Sequence, residues 1–523
     1  MKRTAVINVV GLTEALLGPH TPRLGEFAQR GALARISPAF PAVTCTAQST
    51  YLTGKLPADH GIVGNGWYHR ELAEVQFWKQ SNRLVRGEKI WDELRAREAG
   101  FTCAKLFWWF NMYSTADYSI TPRPMYPADG RKVFDIYTQP GPVRHQIKRD
   151  LGEFPFTTFW GPAAGVPSPQ GAPDAASRWI AESAKWIENK YAPTLSLIYL
   201  PHLDYNLQRH GPFLVPERGP RKGEARSNVS HEPAPGPSRE GSARAGATEQ
   251  FPSLEGSGVG SFVAGHGLNP AIIPDLRAID AIVGGLLDFF RARDVQVIVL
   301  SEYGITNVDT PIHLNRLFRE LGGKWLAIRE ELGLELLNPG ASSAFAVADH
   351  QVAHIYLNDP ALRSTVRSFV ERHTGATVLG PEEKAAAGID HPRAGDLVAV
   401  APENSWFTYY YWLEDSLAPD FARTVDIHRK PGYDPVELFA DPALSPLALK
   451  AKIAWRLLQK KLGFRMLMDV IPLDASLVKG SHGRCPANPQ DWPVFITGRP
   501  ELLQAPQIES TDVFHALLRH VLH

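Results

Sequence analysis

The chain has 523 residues, 44% of them hydrophobic and 21% charged, a composition able to bury a sizeable core. Its 55 basic residues balance 55 acidic ones, so the formal net charge is zero, and neither nucleic acid nor a membrane is expected as a partner. Three cysteines, Cys45, Cys103 and Cys485, are too few and too scattered for a disulfide framework or a thiolate zinc site, and they fit a reducing compartment.

The chain opens on MKRTAVINVVGL, a basic pair followed by an apolar run of only strand length. Without a longer apolar region or a small-residue cleavage site, a cytoplasmic location is expected. Val6–Val10 reads as a first buried strand. A helix near 89–97 gathers Ile90, Trp91 and Leu94 on one face, and LFWWFNMY, from Leu106 to Tyr113, reads as a buried strand edge. A helix over 176–190 carries Trp179, Ile180, Trp186 and Ile187 and leads into the strand Leu195–Leu200. From Pro216 to Asn269 Pro, Gly, Ser, Ala, Arg and Glu dominate, a composition expected to be a disordered or mobile insertion. A helix over 275–293 spaces Leu276, Ile279, Ile282, Val283, Leu286, Leu287 and Phe290 by three and four, then feeds the strand Val295–Leu300. Strand, helix and strand in this order predict parallel crossovers, hence an α/β sheet with helices on both faces.

Between residues 344 and 400 the strand His354–Leu357, a helix over 361–372 and the strand Leu397–Val400 form a smaller α+β unit, read as a cap inserted into the core. The expected division is core over 1–215, insertion over 216–269, core over 270–340, cap over 341–470 and core over 471–523. The aromatic run SWFTYYYW, Ser405 to Trp412, is read as core or as a wall of the cap. No element of the sequence specifies an oligomeric state.

Four segments carry chemistry. FPAVTCTAQSTYLTGKLPADHGIVGN (Phe40 to Asn65) contains Pro41, Thr44, Thr53, Gly54, Pro57, His60, Gly61, Ile62 and Asn65. In this spacing it resembles the nucleophile segment of the alkaline phosphatase superfamily, on its type I phosphodiesterase/nucleotide pyrophosphatase branch. LIYLPHLDYNLQRHGP is similar to the segment in which an Asp is followed four residues later by a His and then by Gly-Pro. Here Asp204, Gly211 and Pro212 are kept and Gln208 stands for the His. VIVLSEYGI resembles the strand that ends in Asp-His-Gly, with Glu302 and Tyr303 in place of Asp and His. VKGSHG places His482 where the family keeps a metal-binding His.

The resemblance implies an alkaline phosphatase-like core, a Thr44 nucleophile, and an Asn65 amide holding a phosphoryl oxygen. It also implies two metal sites. One would use Asp204, Gln208 and His482, and the other Thr44, Glu302 and Tyr303. The family's Asp at the end of the first strand is Val10 here, with Asn8 two residues earlier, so a standard dizinc centre is not expected. One ion, or a harder ion than zinc such as Mg²⁺ or Mn²⁺, suits this oxygen-rich set.

The implied function is metal-dependent hydrolysis of phosphodiester, phosphonate or nucleotide pyrophosphate-type small molecules through Thr44. The alternative is a pseudoenzyme or binding protein that retains the fold around a degenerate metal site. A weaker third option is an isomerase or transferase of the same superfamily. Asp349, His350 and His354 in ADHQVAHIYL, and the run Asp426 to Asp434 with Tyr433, are further candidates, for which structural roles are expected in the first group. His202 and His210 flank Asp204.

Overall fold

The structure is a computed structural model, and it describes residues 1–128, 132–164, 172, 174–214, 267–321, 325–464 and 466–523. Nearly all of the segment expected to be an insertion, 216–269, lies outside the described residues. The chain divides into one compact unit, Met1–Pro212 with Leu268–His523, and a second, Phe213–Gly267, of which only residues 213, 214 and 267 are described.

The first unit is built on a nine-stranded sheet. Its strands in chain order are β1 (Thr4–Val9), β2 (Ala32–Ser37), β3 (Cys103–Leu106), β4 (Tyr118–Pro122), β5 (Ile136–Gln139), β6 (Leu195–Leu200), β7 (Gln296–Leu300), β8 (Val494–Thr497) and β9 (Gln507–Glu509). Their spatial order is β9-β2-β8-β7-β1-β6-β3-β4-β5. From β7 through β1, β6 and β3 to β4 every pairing is parallel, while β8 runs antiparallel to both of its neighbours. A parallel sheet is covered on both faces, which is why β1 and β6 are buried along their whole length instead of alternating.

The covering helices include α1 (Thr44–Thr53), α2 (Ile90–Arg97), α3 (Ala175–Tyr191), α4 (His202–His210) and α5 (Ile273–Arg291). In α5 the residues Leu276, Ile279, Val283, Leu286, Leu287 and Phe290 are all buried. Each such side chain gives roughly 2 kcal/mol of transfer free energy, enough to fix the rotation of the helix on the sheet.

A smaller antiparallel sheet follows. The hairpin Ala344–Asp349/Val352–Leu357 pairs with Leu397–Val400, which pairs with Thr377–Leu379. The aromatic run lies in its core, with Trp406, Tyr409, Tyr410, Tyr411 and Trp412 fully buried.

One expected element differs. The strand in LFWWFNMY ends at Leu106, and Phe107, Phe110 and Tyr113 adopt positive φ values of 65°, 53° and 61°. Side chains satisfy the backbone there in place of a ladder. Lys105 Nζ donates to the carbonyls of Trp109 (2.7 Å) and Phe110 (3.0 Å), and Asn111 Nδ2 donates to those of Lys105 (2.8 Å) and Ile120 (2.9 Å). The segment is a loop packed into the core.

Candidate active site

The parallel strands β1, β6 and β7 end on one edge, and the chain that leaves each of them carries a residue singled out in the sequence. In an open α/β sheet this carboxyl edge is where ligands bind. Val10 follows β1, Asp204 lies in the first turn of α4 after β6, and Glu302 and Tyr303 follow β7. Thr44 opens α1, preceded by extended Val43. His482 enters beside them from the short strand Gly480–Ser481. This crowding depends on absent side chains. A Cβ on Gly304 would sit 1.8 Å from the Asp491 carbonyl oxygen, and one on Gly480 would sit 2.1 Å from that of Leu207.

A chain of hydrogen bonds connects three of these residues, Thr44, Tyr303 and Asp204. Tyr303 donates its hydroxyl proton to Asp204 Oδ1 (3.2 Å) and lies 3.2 Å from Thr44 Oγ1. A phenol has one proton. When Asp204 is ionised and takes that proton, Thr44 can donate to Tyr303, giving a path from Thr44 to Tyr303 to Asp204. Gln208, one helical turn beyond Asp204, donates Nε2–H to Asp204 Oδ2 (2.7 Å), and Tyr433 donates to Gln208 Oε1 (3.0 Å). The tyrosine and histidine rings stack in the order Tyr433, His350, His482, Tyr303, with successive centroids 3.5, 3.7 and 3.6 Å apart.

Electrostatics follow from burial. Desolvation pushes the Asp204 carboxyl up to about 7, opposed by the hydrogen bonds from Gln208 and Tyr303. It pushes Glu302 up to about 8, opposed by Gln48, Asn8 and Thr44, and Asp349 up to about 6, opposed chiefly by the bond from the Asn65 N–H. His350 and His482 are held well below the usual imidazole range, so both rings are neutral. Among the described residues no lysine or arginine hydrogen-bonds to Thr44, Tyr303, Asp204, Glu302 or Asn65.

Asn65 is oriented on two sides. Its Oδ1 accepts from the N–H of Cys45 (3.0 Å), which fixes it to the first turn of α1. Its own N–H and its Nδ2 donate to Asp349 Oδ2 (2.7 Å) and Oδ1 (3.0 Å). Asp349 Oδ1 also lies 2.8 Å from His350 Nδ1, and His350 Nε2 is buried without a partner. Asp349 and His350 therefore belong to the site, against the structural role expected for them. They form the tip of the cap hairpin, where His350 has a φ of 62°. His354 does remain structural, 2.9 Å from the Val63 carbonyl. His202 points away, 2.8 Å from Asp275, and His210 is exposed. Tyr433 joins the site through Gln208 and His350. Asp349 sits 284 residues from Asn65, and no local spacing in the sequence signals that pairing.

The residues gathered here do not fit the paired metal ions that the resemblance implies. Val10 is fully buried and has no ligand atom. Gln48 Oε1 accepts from the Trp109 N–H (2.7 Å), which turns its Nε2 toward Glu302, and Glu302 Oε1 accepts from Gln48 and from Asn8 Nδ2 (2.5 Å). Asp204 is likewise occupied by Gln208 and Tyr303 on both oxygens, whereas His482, whose Nδ1 lies 2.8 Å from the Ala42 carbonyl, keeps Nε2 for a ligand. Two buried oxygens, Asn8 Oδ1 and Glu302 Oε2, have no partner, and one of them is only an amide oxygen. Zinc sites draw three or four protein ligands. Among the described residues no cluster of three or more His, Cys, Asp or Glu side chains is placed to hold an ion. Thr44, Tyr303, Asp204 and Gln208 are joined by hydrogen bonds, Glu302 is held by Asn8 and Gln48, and His482 stacks on Tyr303, an arrangement that is not a ligand shell.

The sequence profile of the type I phosphodiesterase/nucleotide pyrophosphatase family matches residues 4–434. Among solved structures, murine ectonucleotide pyrophosphatase/phosphodiesterase 5 in complex with AMP is similar at 14% identity, over 100% of this chain and 95% of that one, with a TM-score of 0.53. Phosphonoacetate hydrolase from Sinorhizobium meliloti 1021 in complex with phosphonoacetate is similar at 15% identity, over the same shares, with a TM-score of 0.53. At these identities the structural likeness speaks to the fold. Among curated proteins none matches at the sequence level.

Proposed function

Because the chain belongs to the type I phosphodiesterase/nucleotide pyrophosphatase family, a family of phosphoester hydrolases within the alkaline phosphatase superfamily, we propose that it cleaves small-molecule phosphate or phosphonate esters with Thr44 as nucleophile. The observation that carries this reading is the directed relay from Thr44 through Tyr303 to Asp204. A Thr hydroxyl is a weak nucleophile until a base removes its proton. Asp204, at about 7, is suited to act as that base near neutral pH.

As Thr44 Oγ1 bonds to phosphorus, its proton passes to the Tyr303 oxygen and the Tyr303 proton passes to Asp204. The leaving oxygen departs in line, on the side away from Thr44 and Glu302, and takes its proton from solvent water, to which the water of the second step returns one. Water then hydrolyses the phosphothreonine by the reverse transfers. Thr44 stands at the amino end of a ten-residue helix, whose dipole favours a phosphoryl anion there. Asn65 retains one N–H for a phosphoryl oxygen. The substrate class is supported by the AMP and phosphonoacetate held by the two similar structures. No step relies on a resident metal, because the donor set does not suit one. The three free cysteines support a reducing, cytoplasmic setting.

A second reading rests on the missing charge. With neutral histidines and no hydrogen-bonded lysine or arginine, only the helix end and Asn65 would offset the charge that develops on the phosphoryl group. That favours a protein that binds such ligands without cleaving them. Turnover of mono-aryl and bis-aryl phosphate esters by the wild type and by Thr44→Ala separates the two. The hydrolase reading expects turnover that the substitution lowers by about a thousandfold or more. Ligand binding with no turnover in either protein would sink it in favour of the binding module.

A further inference from the structure

The helix α6 (Pro446–Lys461) has a well-formed start, with Ser445 Oγ accepting from the Ala448 N–H (3.2 Å), yet none of its residues is buried. This contrasts with α3 and α5, which bury one face against the sheet. Polar ties hold it instead. Lys452 Nζ donates to the Asp469 carbonyl (2.6 Å), and Arg456 donates to both Asp469 carboxylate oxygens (2.9 and 3.0 Å).

On the opposite side Leu447, Ala451, Trp455, Leu458 and Leu462 recur at intervals of four, four, three and four, which aligns them along one face. That face is open, with Leu447 79%, Trp455 56% and Leu462 63% exposed, and Phe464 just beyond it 65% exposed. Large apolar side chains gathered in this way mark an interaction surface.

The charge around the stripe identifies the partner. Between Pro446 and Met468 the sequence holds Lys450, Lys452, Arg456, Lys460, Lys461 and Arg465 and no acidic residue, and only Lys452 and Arg456 are paired, both with Asp469. Lys450 and Lys461 are exposed along one flank of the apolar stripe. A Leu/Trp face edged by lysines is the composition of a helix lying in a membrane interface, with its apolar side among the acyl chains and its cations on lipid phosphates.

We propose that α6 is a docking surface for an anionic lipid bilayer, with Leu447, Trp455, Leu458 and Leu462 inserted and the lysines on the headgroups. A second copy of the chain fits less well, because two such faces would bring two unbalanced sets of lysines together. Among the described residues no helix is long and apolar enough to cross a membrane, so the contact is peripheral. It departs from the expectation of no membrane partner drawn from the balanced overall charge.

The test is co-sedimentation of the full chain with vesicles of phosphatidylcholine alone and of phosphatidylcholine mixed with phosphatidylglycerol. The wild type is expected to bind the anionic vesicles selectively. Both Trp455→Glu/Leu458→Glu and Lys450→Glu/Lys461→Glu are expected to weaken that binding at least about tenfold, with unchanged circular dichroism and melting. Equal binding to neutral and anionic vesicles, or no loss in the Trp455→Glu/Leu458→Glu protein, would overturn the proposal. So would a vesicle-free dimer that Leu458→Glu dissociates, since it would assign the face to a second copy.

Discussion

At the scale of single residues, the chemistry turns on where protons sit. Tyr303 spends its only proton on Asp204, so Thr44 has a path for its own. The base in this path must be ionised. Asp204 loses its proton as pH rises through about 7, so kcat/KM is expected to climb through that range. Tyr303→Phe removes the middle of the path, and it should lower turnover by about 10²–10⁴-fold and abolish the climb. A Tyr303→Phe profile that keeps the wild-type climb would show that the relay is not used.

Glu302 provides a separate readout in stability. Its carboxyl moves from 4.5 to about 8 on burial, so the folded state holds the proton more tightly. The associated stability is fully present below about 4.5 and is lost as pH rises through about 8. Glu302→Gln has no such proton. Its unfolding free energy relative to the wild type should therefore rise with pH across that window, by on the order of a few kcal/mol at the alkaline end. A constant offset would contradict the burial of an uncompensated carboxyl.

At the scale of elements, the hairpin that ends at Asp349 positions Asn65. Asp349, at its tip, accepts from both the backbone and the side chain of Asn65, and Asn65 in turn fixes the first turn of α1. Asp349→Ala leaves buried donors unpaired, at about 1–3 kcal/mol each. Turnover should fall with Asn65 misplaced, and Asp349→Asn, which keeps a side-chain oxygen at the tip, should recover part of it. Equal turnover in Asp349→Ala and the wild type would remove Asp349 from the positioning of Asn65.

This pairing also marks what the sequence could convey. Strands such as Leu195–Leu200 and helices such as α5 were legible because their apolar spacing is local. Thr44, Asp204, Glu302, Tyr303 and His482 were legible because each lies in a motif at a strand or helix end. The Asp349–Asn65 contact and the grip of Gln48 on Glu302 are long-range hydrogen bonds with no local pattern. The loop at Phe107–Tyr113 has a strand-like composition, but side-chain bonds from Lys105 and Asn111 hold its backbone in place of a ladder.

At the scale of the whole molecule, a fold shared with phosphoester hydrolases surrounds a site whose carboxylates are occupied by amides and a phenol. Whole-chain averages conceal such local features. A net charge of zero coexists with a basic helix only partly balanced by Asp469, and a matching family profile coexists with Val10 in place of a ligand. The metal content that the family resemblance implies is therefore the expectation most exposed to direct test. The decisive measurement is turnover of a bis-aryl phosphate ester by chelator-treated protein whose metal content has been determined, with Thr44→Ala alongside. The relay predicts that metal-depleted wild type keeps its rate and that Thr44→Ala loses it. Wild-type turnover that vanishes on chelation and returns with a stoichiometric divalent ion would contradict the account.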